Sequence, residues 1–355
     1  MIARNEEDFI GRCFLSVKDL ANELILVDTG SVDSTKKIAL DAGAKIVDFP
    51  WCDDFSAARN AGLDIATGRW ILVLDADEYL PESSVMAIRE IITSDSLPNR
   101  AFQLLNKSTT DGGRTGIAGH IVRLFPNDPQ IRYEWPVHEQ VVTSLQRAGV
   151  SIENTSIEII HTGYSSADVN AAKQTRNLRI LEKMTSTSAP AHPMAIFLKG
   201  GALLDLGKTE AALSAYIQCT EMTHPNDSIH KSALVRWATC LSDLKRFDQI
   251  PAIQTQSPSS DWHPELLLVR GQAEIALDNT RSGLEFLHSV LESPSRPLIP
   301  AYDPIRLKIR AVMAIAALLE KTNPAKGVKL LRLASQSLQT GREITLTDVL
   351  EIHES

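Results

Sequence analysis

Short apolar runs alternate with amphipathic stretches over the first hundred residues of the chain. Three runs rich in Ile, Leu and Val predict strands, and the stretches between them have the three-to-four-residue spacing of helices. The predicted strands cover 24–27, 45–49 and 70–74, and the predicted helices cover 33–43 and 55–66. Asp33 is placed to cap the first helix and Gly43 to end it. This alternation is typical of βα units on a mostly parallel sheet.

The pattern changes in the middle of the chain. Between residues 101 and 160 we predict shorter strands separated by Gly, Pro and Asn turns, and then a helix over residues 166–184. Residues 185–193 are rich in Thr, Ser, Ala and Pro, which is typical of a linker. We therefore expect an α/β domain over residues 1–186 and a second domain over residues 187–355.

The second half of the chain has helical periodicity throughout, and its pattern recurs. Segments that start near Ala195, Ser232, Glu265 and Ile305 each pair two apolar helices across a short turn, at spacings of 37, 33 and 40 residues. The clearest copy, residues 203–212, carries small residues where two helices must pack closely, and it resembles the tetratricopeptide consensus. The sequence thus predicts an all-α domain of helical hairpins.

Composition narrows the class of protein. The chain has 355 residues with 43% hydrophobic and 23% charged, and its net charge of −8 argues against a nucleic-acid partner. The four cysteines stand far apart without metal-ligand spacing, which favours a reducing compartment. The first seven residues carry charge, and the longest apolar run is about half of what a bilayer crossing needs. We therefore expect a cytoplasmic protein without a secretion signal or membrane span.

The candidate chemistry begins with Asp75-Ala76-Asp77, directly after the third predicted strand. Two carboxylates at this spacing can converge on one hard divalent cation, which prefers oxygen ligands and can keep a substrate phosphate in its remaining positions. Sheets of this class bind ligands beyond the carboxyl ends of their strands. Taken alone, however, two aspartates in a solvated loop are more often without function than metal ligands.

Two further features accompany the aspartate pair. The turn from Asp28 to Ser31 ends the first predicted strand, where Gly30 permits close backbone approach and Asp28 can accept hydrogen bonds from a base or a ribose. The alternative is an Asx-type turn. Arg59, early in the second helix, can fork onto a diphosphate; the alternative is an ion pair with Asp54.

Six motifs in register give these residues a common context: MIARNEE, LILVDTGSVDST, WCDDFSAARNAGL, TGRWILVLDADE, VHEQV and HTGY. Together they resemble family 2 glycosyltransferases with the GT-A fold. More narrowly, they resemble the bacterial branch with a C-terminal tetratricopeptide region, which includes glycocin peptide S-glycosyltransferases and relatives of lipopolysaccharide-core sugar transferases. The resemblance implies an α/β GT-A domain with a mixed central sheet, followed by the all-α repeat domain.

The resemblance also implies roles for the donor side of the site. The enzyme would be an inverting, hexosyltransferase-type glycosyltransferase that uses a nucleotide-sugar, with a UDP-sugar as the expected donor. Asp28 and Ser31 would meet the nucleoside, and Arg59 the nucleotide. Asp75 with Asp77 would hold Mg²⁺ or Mn²⁺ at the diphosphate, where the cation neutralises charge on the leaving group.

The acceptor side is assigned to His138 and Glu139. An inverting displacement needs a general base near the acceptor, and Glu139 is the candidate, with His138 orienting it or touching a phosphate. A structural His-Glu pair beside Trp135 is the alternative. His161, at the end of an apolar run, is expected as a third metal ligand, since GT-A enzymes often supply a late histidine. A buried core histidine is nearly as well supported.

Two features depart from the family pattern. Relatives usually have a fuller first strand before the segment that matches residues 1–7, so we expect this strand to be clipped or to start upstream. Residues 108–119, rich in Thr, Gly and Arg, are expected to form a mobile loop over the acceptor site.

A second function competes with catalysis. A degenerate transferase domain could present the helical repeats as a scaffold for a protein partner. The set of acidic and basic site residues favours the enzyme. A dinucleotide-dependent enzyme is excluded, because the first turn lacks GxGxxG. The acceptor stays open between a saccharide and a peptide or protein.

Overall fold

The structure is a computed structural model that describes residues 1–94, 99–109, 115–162, 167–187, 192–253, 262–293 and 304–354. The chain divides into two compact units, residues 1–170 and 171–355. The sequence-based boundary after residue 186 lies near the end of a helix that spans this division, Ala167–Thr187. The domain limits predicted from the sequence therefore stay a prediction.

The first unit alternates strands and helices in its first half and is mostly strand in its second. The strands are β1 (Ile2–Ala3), β2 (Ile25–Asp28), β3 (Lys45–Asp48), β4 (Trp70–Leu72), β5 (Glu78–Tyr79), β6 (Arg100–Thr109), β7 (Thr115–Pro126) and β8 (Ser151–His161). The helices are α1 (Ile10–Val17), α2 (Thr35–Asp41), α3 (Phe55–Ile65), α4 (Glu82–Thr93) and α5 (Val142–Arg147).

The described strands form two sheets. β1, β2 and β3 make a three-stranded parallel sheet in that order. The other five strands follow the order β4-β7-β6-β8-β5, in which β6 and β8 are parallel and all other neighbours are antiparallel. The parallel βα units and the mixed sheet confirm the α/β fold class predicted from the sequence.

Helices cover both faces of the five-stranded sheet. On one face, α1 and α4 bury Val17 and Ile88 against Leu104 of β6. On the other face, α3 and α5 bury Leu63 and Leu145. Neighbouring strand residues alternate between these two cores because side chains point to opposite faces of a sheet. The layering holds the carboxyl end of β4 between packed helices.

An apolar cavity of about 410 Å³ lies between the edges of the two sheets. It is bordered by β1 and β2 on one side and by β4 on the other, so both strand edges face it. Trp70 lines the cavity, and its buried indole Nε1 has no hydrogen-bond partner among the described residues. The first strand, β1, consists of two residues.

Three local predictions in this unit differ from the structure. The strands after residue 100 are long rather than short, because β6 pairs along its length with β7 on one side and β8 on the other. Within the predicted loop 108–119, Ser108 and Thr109 belong to β6 and residues 115–119 to β7, while residues 110–114 lie outside the described part. The expected cap of α2 also shifts: Ser34 is the cap residue, and Asp33 accepts the Thr35 amide at 3.0 Å.

The second unit is helical throughout its described residues. Its helices are α6 (Ala167–Thr187), α7 (Pro193–Asp205), α8 (Thr209–Glu221), α9 (Ser228–Asp243), a 3₁₀ helix (Phe247–Ala252), α10 (Pro264–Ala276), α11 (Thr280–Glu292), α12 (Pro304–Thr322), α13 (Pro324–Thr340) and α14 (Leu346–Glu354). None of the described helices is both long enough and apolar enough to cross a bilayer.

Three of the four predicted helical hairpins are present: α7 with α8, α10 with α11, and α12 with α13. The second hairpin departs from the prediction, because a 3₁₀ helix containing Pro251 follows α9 instead of a full helix. A proline inside a helix removes a hydrogen bond and clashes with the preceding turn. Within the predicted linker, residues 185–187 continue α6 and Pro193 begins α7, while residues 188–191 lie outside the described part.

Glycines let the paired helices approach closely. A Cβ built on Gly200 of α7 would lie 2.8 Å from ring carbons of Tyr216 in α8, whereas one on Gly201 would lie 3.8 Å from the nearest atom, the Tyr216 hydroxyl. Tyr216 is only 1% exposed and has little room to move. The small residues that the repeat pattern predicted are therefore required at the helix contact.

These neighbouring glycines provide a matched test. We expect Gly201→Ala to raise the urea midpoint of the helical signal, because alanine favours a helix over glycine by roughly 1 kcal/mol. Gly200→Ala gains the same propensity but overpacks the Tyr216 ring, which costs about 1–3 kcal/mol. Urea unfolding followed by circular dichroism should rank Gly200→Ala below Gly201→Ala. Equal midpoints would contradict the close contact.

Candidate active site

Polar side chains gather beyond the carboxyl ends of β2 and β4 and at the end of β8. Asp28 ends β2, Asp75 and Asp77 follow β4, and His161 ends β8. Arg59 reaches the same region from α3, which Asp54 begins by accepting the Ala57 amide at 2.9 Å. Because α3 packs on the sheet next to β4, its second turn lies beside the aspartate pair.

Asp75 lies between two guanidinium groups. Its Oδ1 accepts a hydrogen bond from Arg59 Nη2 at 2.9 Å, and its Oδ2 accepts one from Arg123 Nη2 at 2.8 Å. Burial works to raise the pKa of Asp75, but Arg123 and Arg59 outweigh it and hold the pKa well below its ordinary value. Asp75 is thus ionised at neutral pH, with both oxygens engaged.

Arg59 joins the donor and acceptor sides that the sequence assigned separately. Besides Asp75, it donates from Nε to Glu139 Oε1 at 2.7 Å, and its guanidinium lies 5.3 Å from the ring centroid of Tyr133. The side chain is only 11% exposed. Its Nη1 is buried without a hydrogen-bond partner among the described residues. The alternative pair with Asp54 is not formed, since Asp54 caps α3.

The segment that carries Glu139 is held against α3 by main-chain and amide contacts. Glu134 and Gln140 form an isolated antiparallel bridge around it. Phe55 donates its amide to Pro136 at 2.8 Å. Asn60 bonds both main-chain groups of Tyr133 at 2.9 Å. These contacts position the Glu139 carboxylate against Arg59.

His138 forms no hydrogen bond with Glu139 among the described residues. The residue is exposed and its backbone is left-handed, with φ of 56°, while partial burial of the imidazole lowers its pKa. The hydrogen bond to the Glu139 carboxylate comes from Arg59. A role for His138 toward a phosphate stays a prediction.

Asp77 and His161 form the second part of the site. His161 Nε2 lies 2.9 Å from Asp77 Oδ2, and the Thr162 amide donates to the main-chain oxygen of Asp77 at 2.9 Å. The hydrogen bond with Asp77 raises the pKa of His161 above its ordinary value. β5 pairs with β8 so that Glu78 lies opposite His161, which fixes the register of this pair.

The three expected metal ligands are only partly assembled. Asp77 and His161 are in contact, but both oxygens of Asp75 bond arginines. In the described part of the chain, no three His, Cys, Asp or Glu side chains already form a metal-binding group. The two aspartates nevertheless have the right chemistry, because carboxylate oxygen suits Mg²⁺ and Mn²⁺.

The turn after β2 matches the alternative raised from the sequence. Asp28 Oδ2 accepts the amides of Gly30 and Ser31 at 3.1 and 3.0 Å, which is the pattern of an Asx-type turn. Asp28 is 3% exposed, and its Oδ1 has no hydrogen-bond partner among the described residues. Ser31 Oγ accepts the amide of Asn5 at 3.0 Å. A binding role for Asp28 therefore depends on this second oxygen.

Three residues of the site were missed from the sequence: Glu78, Asn106 and Arg123. Glu78 Oε1 accepts hydrogen bonds from Asn106 Nδ2 at 3.0 Å and from Arg123 Nη2 at 2.8 Å. A signal for Arg123 was present, since it interrupts the apolar run 121–125 of a buried strand. Buried charges are normally paired, so a charge in such a run indicates a partner.

Carboxylates outnumber guanidinium groups in the cluster. Four carboxylates (Asp75, Asp77, Glu78 and Glu139) accompany Arg59 and Arg123. Burial raises the pKa of Glu78, and the hydrogen bond with Asp77 raises the pKa of His161, so both shifts reduce the negative excess. A divalent cation would compensate the acidic charge that remains.

Comparison with known proteins yields one family and several relatives. The profile of glycosyl transferase family 2 matches residues 1–95. A TPR repeat-containing protein of Synechococcus elongatus is 36% identical over 306 residues, which cover 80% of this chain and 74% of that protein. The SPbeta prophage-derived glycosyltransferase SunS of Bacillus subtilis is 28% identical over 229 residues, 60% of this chain. The match covers 50% of SunS, so the chain spans about half the length of that protein.

The solved structures that match are more distant. Glucosyl-3-phosphoglycerate synthase from Mycobacterium tuberculosis, in complex with Mn²⁺ and UDP-glucose, matches with a TM-score of 0.36 and 16% identity over 50% of this chain and 74% of that chain. This likeness is too weak to bear on the ligands of the present site.

The Arg59–Glu139 contact can be tested by a double-mutant cycle with Arg59→Met and Glu139→Leu. We expect a coupling of about 0.5–3 kcal/mol in urea unfolding, because both side chains are largely buried and removing one leaves the other unpaired. The exposed pair Lys36–Asp48 is the control. Its coupling should be much smaller, because water and salt screen the exposed charges. Additive effects of the Arg59 and Glu139 substitutions would contradict the contact.

Proposed function

Because the chain belongs to glycosyltransferase family 2 and carries tetratricopeptide-like repeats after its transferase domain, we propose an inverting sugar transfer from a nucleoside diphosphate donor. The donor is a UDP-sugar, the sugar a hexose, and the acceptor a saccharide, peptide or protein. The observation that carries the proposal is the acidic pair beyond β4, with Asp77 held against His161 in a cluster that has more carboxylates than guanidinium groups.

A divalent cation, Mg²⁺ or Mn²⁺, fits this donor set. Asp77 and His161 would hold it together with Asp75, once an oxygen of Asp75 is released from an arginine. When bound, the cation neutralises charge that develops on the departing diphosphate. The acidic excess supports this assignment, since it provides an attractive site for a divalent ion.

The donor nucleotide is assigned to Asp28, Ser31 and Arg59. The unpaired Oδ1 of Asp28 can accept a hydrogen bond from a base or a ribose hydroxyl. The unpaired Nη1 of Arg59 is a donor for a phosphate oxygen, and charge-assisted bonds of this kind are among the strong ones. When a phosphate binds, Arg59 can therefore replace its bond to a carboxylate with a bond to the phosphate, and the buried guanidinium stays paired.

Glu139 is assigned as the general base. Its Oε1 is occupied by Arg59, so Oε2 is the oxygen that faces an acceptor. In the displacement, the acceptor oxygen or sulfur bonds to the anomeric carbon while the bond from that carbon to the diphosphate oxygen breaks. The acceptor proton passes to Oε2 of Glu139. The opposite approach of the acceptor inverts the anomeric centre.

The helical repeats favour a peptide or protein on the acceptor side or as a partner subunit. Stacked hairpins of this type present extended surfaces for such ligands. A scaffold without catalysis is the second candidate, and it would bind a protein partner but no nucleotide-sugar.

Asp77→Ala tests the metal assignment and identifies the donor in one measurement. We expect a UDP-sugar to raise the thermal midpoint of the wild type in Mn²⁺, since a ligand at about 100 times its Kd adds about 2.7 kcal/mol. The variant should lose the Mn²⁺-dependent part of this shift, together with transfer or donor hydrolysis. Asp41→Ala, at an exposed position, is the control and should match the wild type. Full activity of Asp77→Ala would remove the metal role, and a wild type without any donor shift would favour the scaffold.

Glu139→Gln tests the base. Glutamine keeps an oxygen that can accept from Arg59 but cannot take the acceptor proton. We expect turnover to fall about 10²–10⁴-fold while the Kd of the donor changes little. Single-turnover kinetics and calorimetry separate the two quantities. A large loss of donor affinity with normal turnover would instead place Glu139 at the donor.

A further inference from the structure

Glu78, the residue after the aspartate pair, has a buried carboxylate. Its side chain is 2% exposed, and Glu78 and Asp75 form a turn joined by two hydrogen bonds. The Glu78 amide donates to the Asp75 main-chain oxygen at 3.0 Å, and the Asp75 amide donates to Glu78 Oε2 at 2.9 Å. This reciprocal closure holds the backbone of Asp75 at both ends of the turn.

Arg123 connects this turn to the functional side chain. The same nitrogen, Nη2, lies 2.8 Å from Glu78 Oε1 and 2.8 Å from Asp75 Oδ2. Arg123 is 7% exposed and comes from β7, the neighbour of β4 in the sheet. Asn106, on β6, adds a third donor to Glu78 at 3.0 Å. Three strands thus contribute to the orientation of one carboxylate.

The burial of these charged groups is not explained by the stability of the fold alone. A buried ion pair seldom adds stability over well-packed apolar residues of the same volume, because both charges must leave water. The cluster still leaves Arg123 Nε and Asn106 Oδ1 buried without hydrogen-bond partners among the described residues. These unfavourable buried groups lie next to Asp75, whose side chain is 35% exposed and reaches solvent.

We propose that Glu78 and Arg123 are positioning residues for Asp75. Glu78 sets the turn through the main-chain amide, and Arg123 sets the direction of the Asp75 carboxylate. The orientation of Asp75 toward the donor nucleotide and its cation is thereby established before they bind. This inference rests on the proposed function, because it concerns the same donor site.

Glu78 also lies beside the second part of the site. It is opposite His161 where β5 pairs with β8, and Thr162, the residue after β8, donates its amide to the main-chain oxygen of Asp77. Arg123 bonds both Asp75 and Glu78, so changes at Glu78 and at Arg123 act on the same carboxylate of Asp75.

The test compares Glu78→Gln, Arg123→Met and Arg123→Lys by calorimetry with UDP, in the presence and absence of Mn²⁺, and by thermal midpoint. We expect Glu78→Gln and Arg123→Met to weaken Mn²⁺-dependent UDP binding about 10–100-fold, as for other residues that orient metal ligands. Arg123→Lys keeps the charge but not the fork, so it should recover part of the affinity. UDP binding without Mn²⁺ should change less in all three.

Glu274→Gln in α10 is the matched control. Its carboxylate is similarly buried, at 10% exposure, and bonds Asn279 at 2.9 Å and lies 3.7 Å from Arg270. We expect it to lower the thermal midpoint without changing the Kd for UDP. A purely structural role of Glu78 and Arg123 would give the same result for their variants.

The outcomes separate the inference from the function on which it rests. Folded Glu78→Gln and Arg123→Lys proteins that bind UDP with the wild-type Kd in Mn²⁺ would overturn the positioning role and leave the function intact. If Glu78→Gln does not fold, Arg123→Lys decides by the same criterion, and failure of all three variants to fold would also overturn it. A wild type that binds no UDP in Mn²⁺ would overturn both.

Discussion

The pairing of buried charge around Asp75 is the constraint on which the transferase domain depends. Arg59 and Arg123 lie in a region from which water is largely excluded, and each must be met by carboxylates to be tolerated there. Their partners come from separate elements: the loop after β4, strand β5 and the segment before α5. The charge pairs therefore hold these elements against one another. The order of the strands and the packing of the helices bring them close enough to pair.

The same cluster gives the two aspartates different surroundings. Asp77 contacts His161, whereas both oxygens of Asp75 bond guanidinium groups, Oδ1 with Arg59 and Oδ2 with Arg123. Arg123 also bonds Glu78, so its bond orients Asp75. The bond with Arg59 is the one that an incoming phosphate oxygen can replace, because a guanidinium group bonds phosphate as well as carboxylate.

The helical unit, in contrast, is stabilised mainly by apolar packing between its helices. Its hairpins meet through glycines and small residues, as at Gly200 beside Tyr216 and at Gly271, whose Cβ would lie 3.0 Å from the main-chain oxygen of Gly283. Such contacts repeat between neighbours along the chain, and this local character is why a repeat pattern is visible in the sequence. The second hairpin is the exception because Pro251 prevents a full helix.

The sequence by itself determined the βα alternation, the helical hairpins and the acidic pair after the third apolar run, since periodicity and short motifs are local properties of a chain. It also predicted roles for Arg59, from its place early in a helix, and for Glu139 and His161, alongside the resemblance to a family. Only the tertiary structure decided that Arg59 joins Asp75 to Glu139, and that Glu78 and Arg123 contact Asp75. The reason is physical: Arg123 and Asp75 are 48 positions apart, and Arg59 and Glu139 are 80 positions apart, so no spacing in the sequence records their pairing. Strand order and register bring them within hydrogen-bond distance, and burial then makes the pairing obligatory.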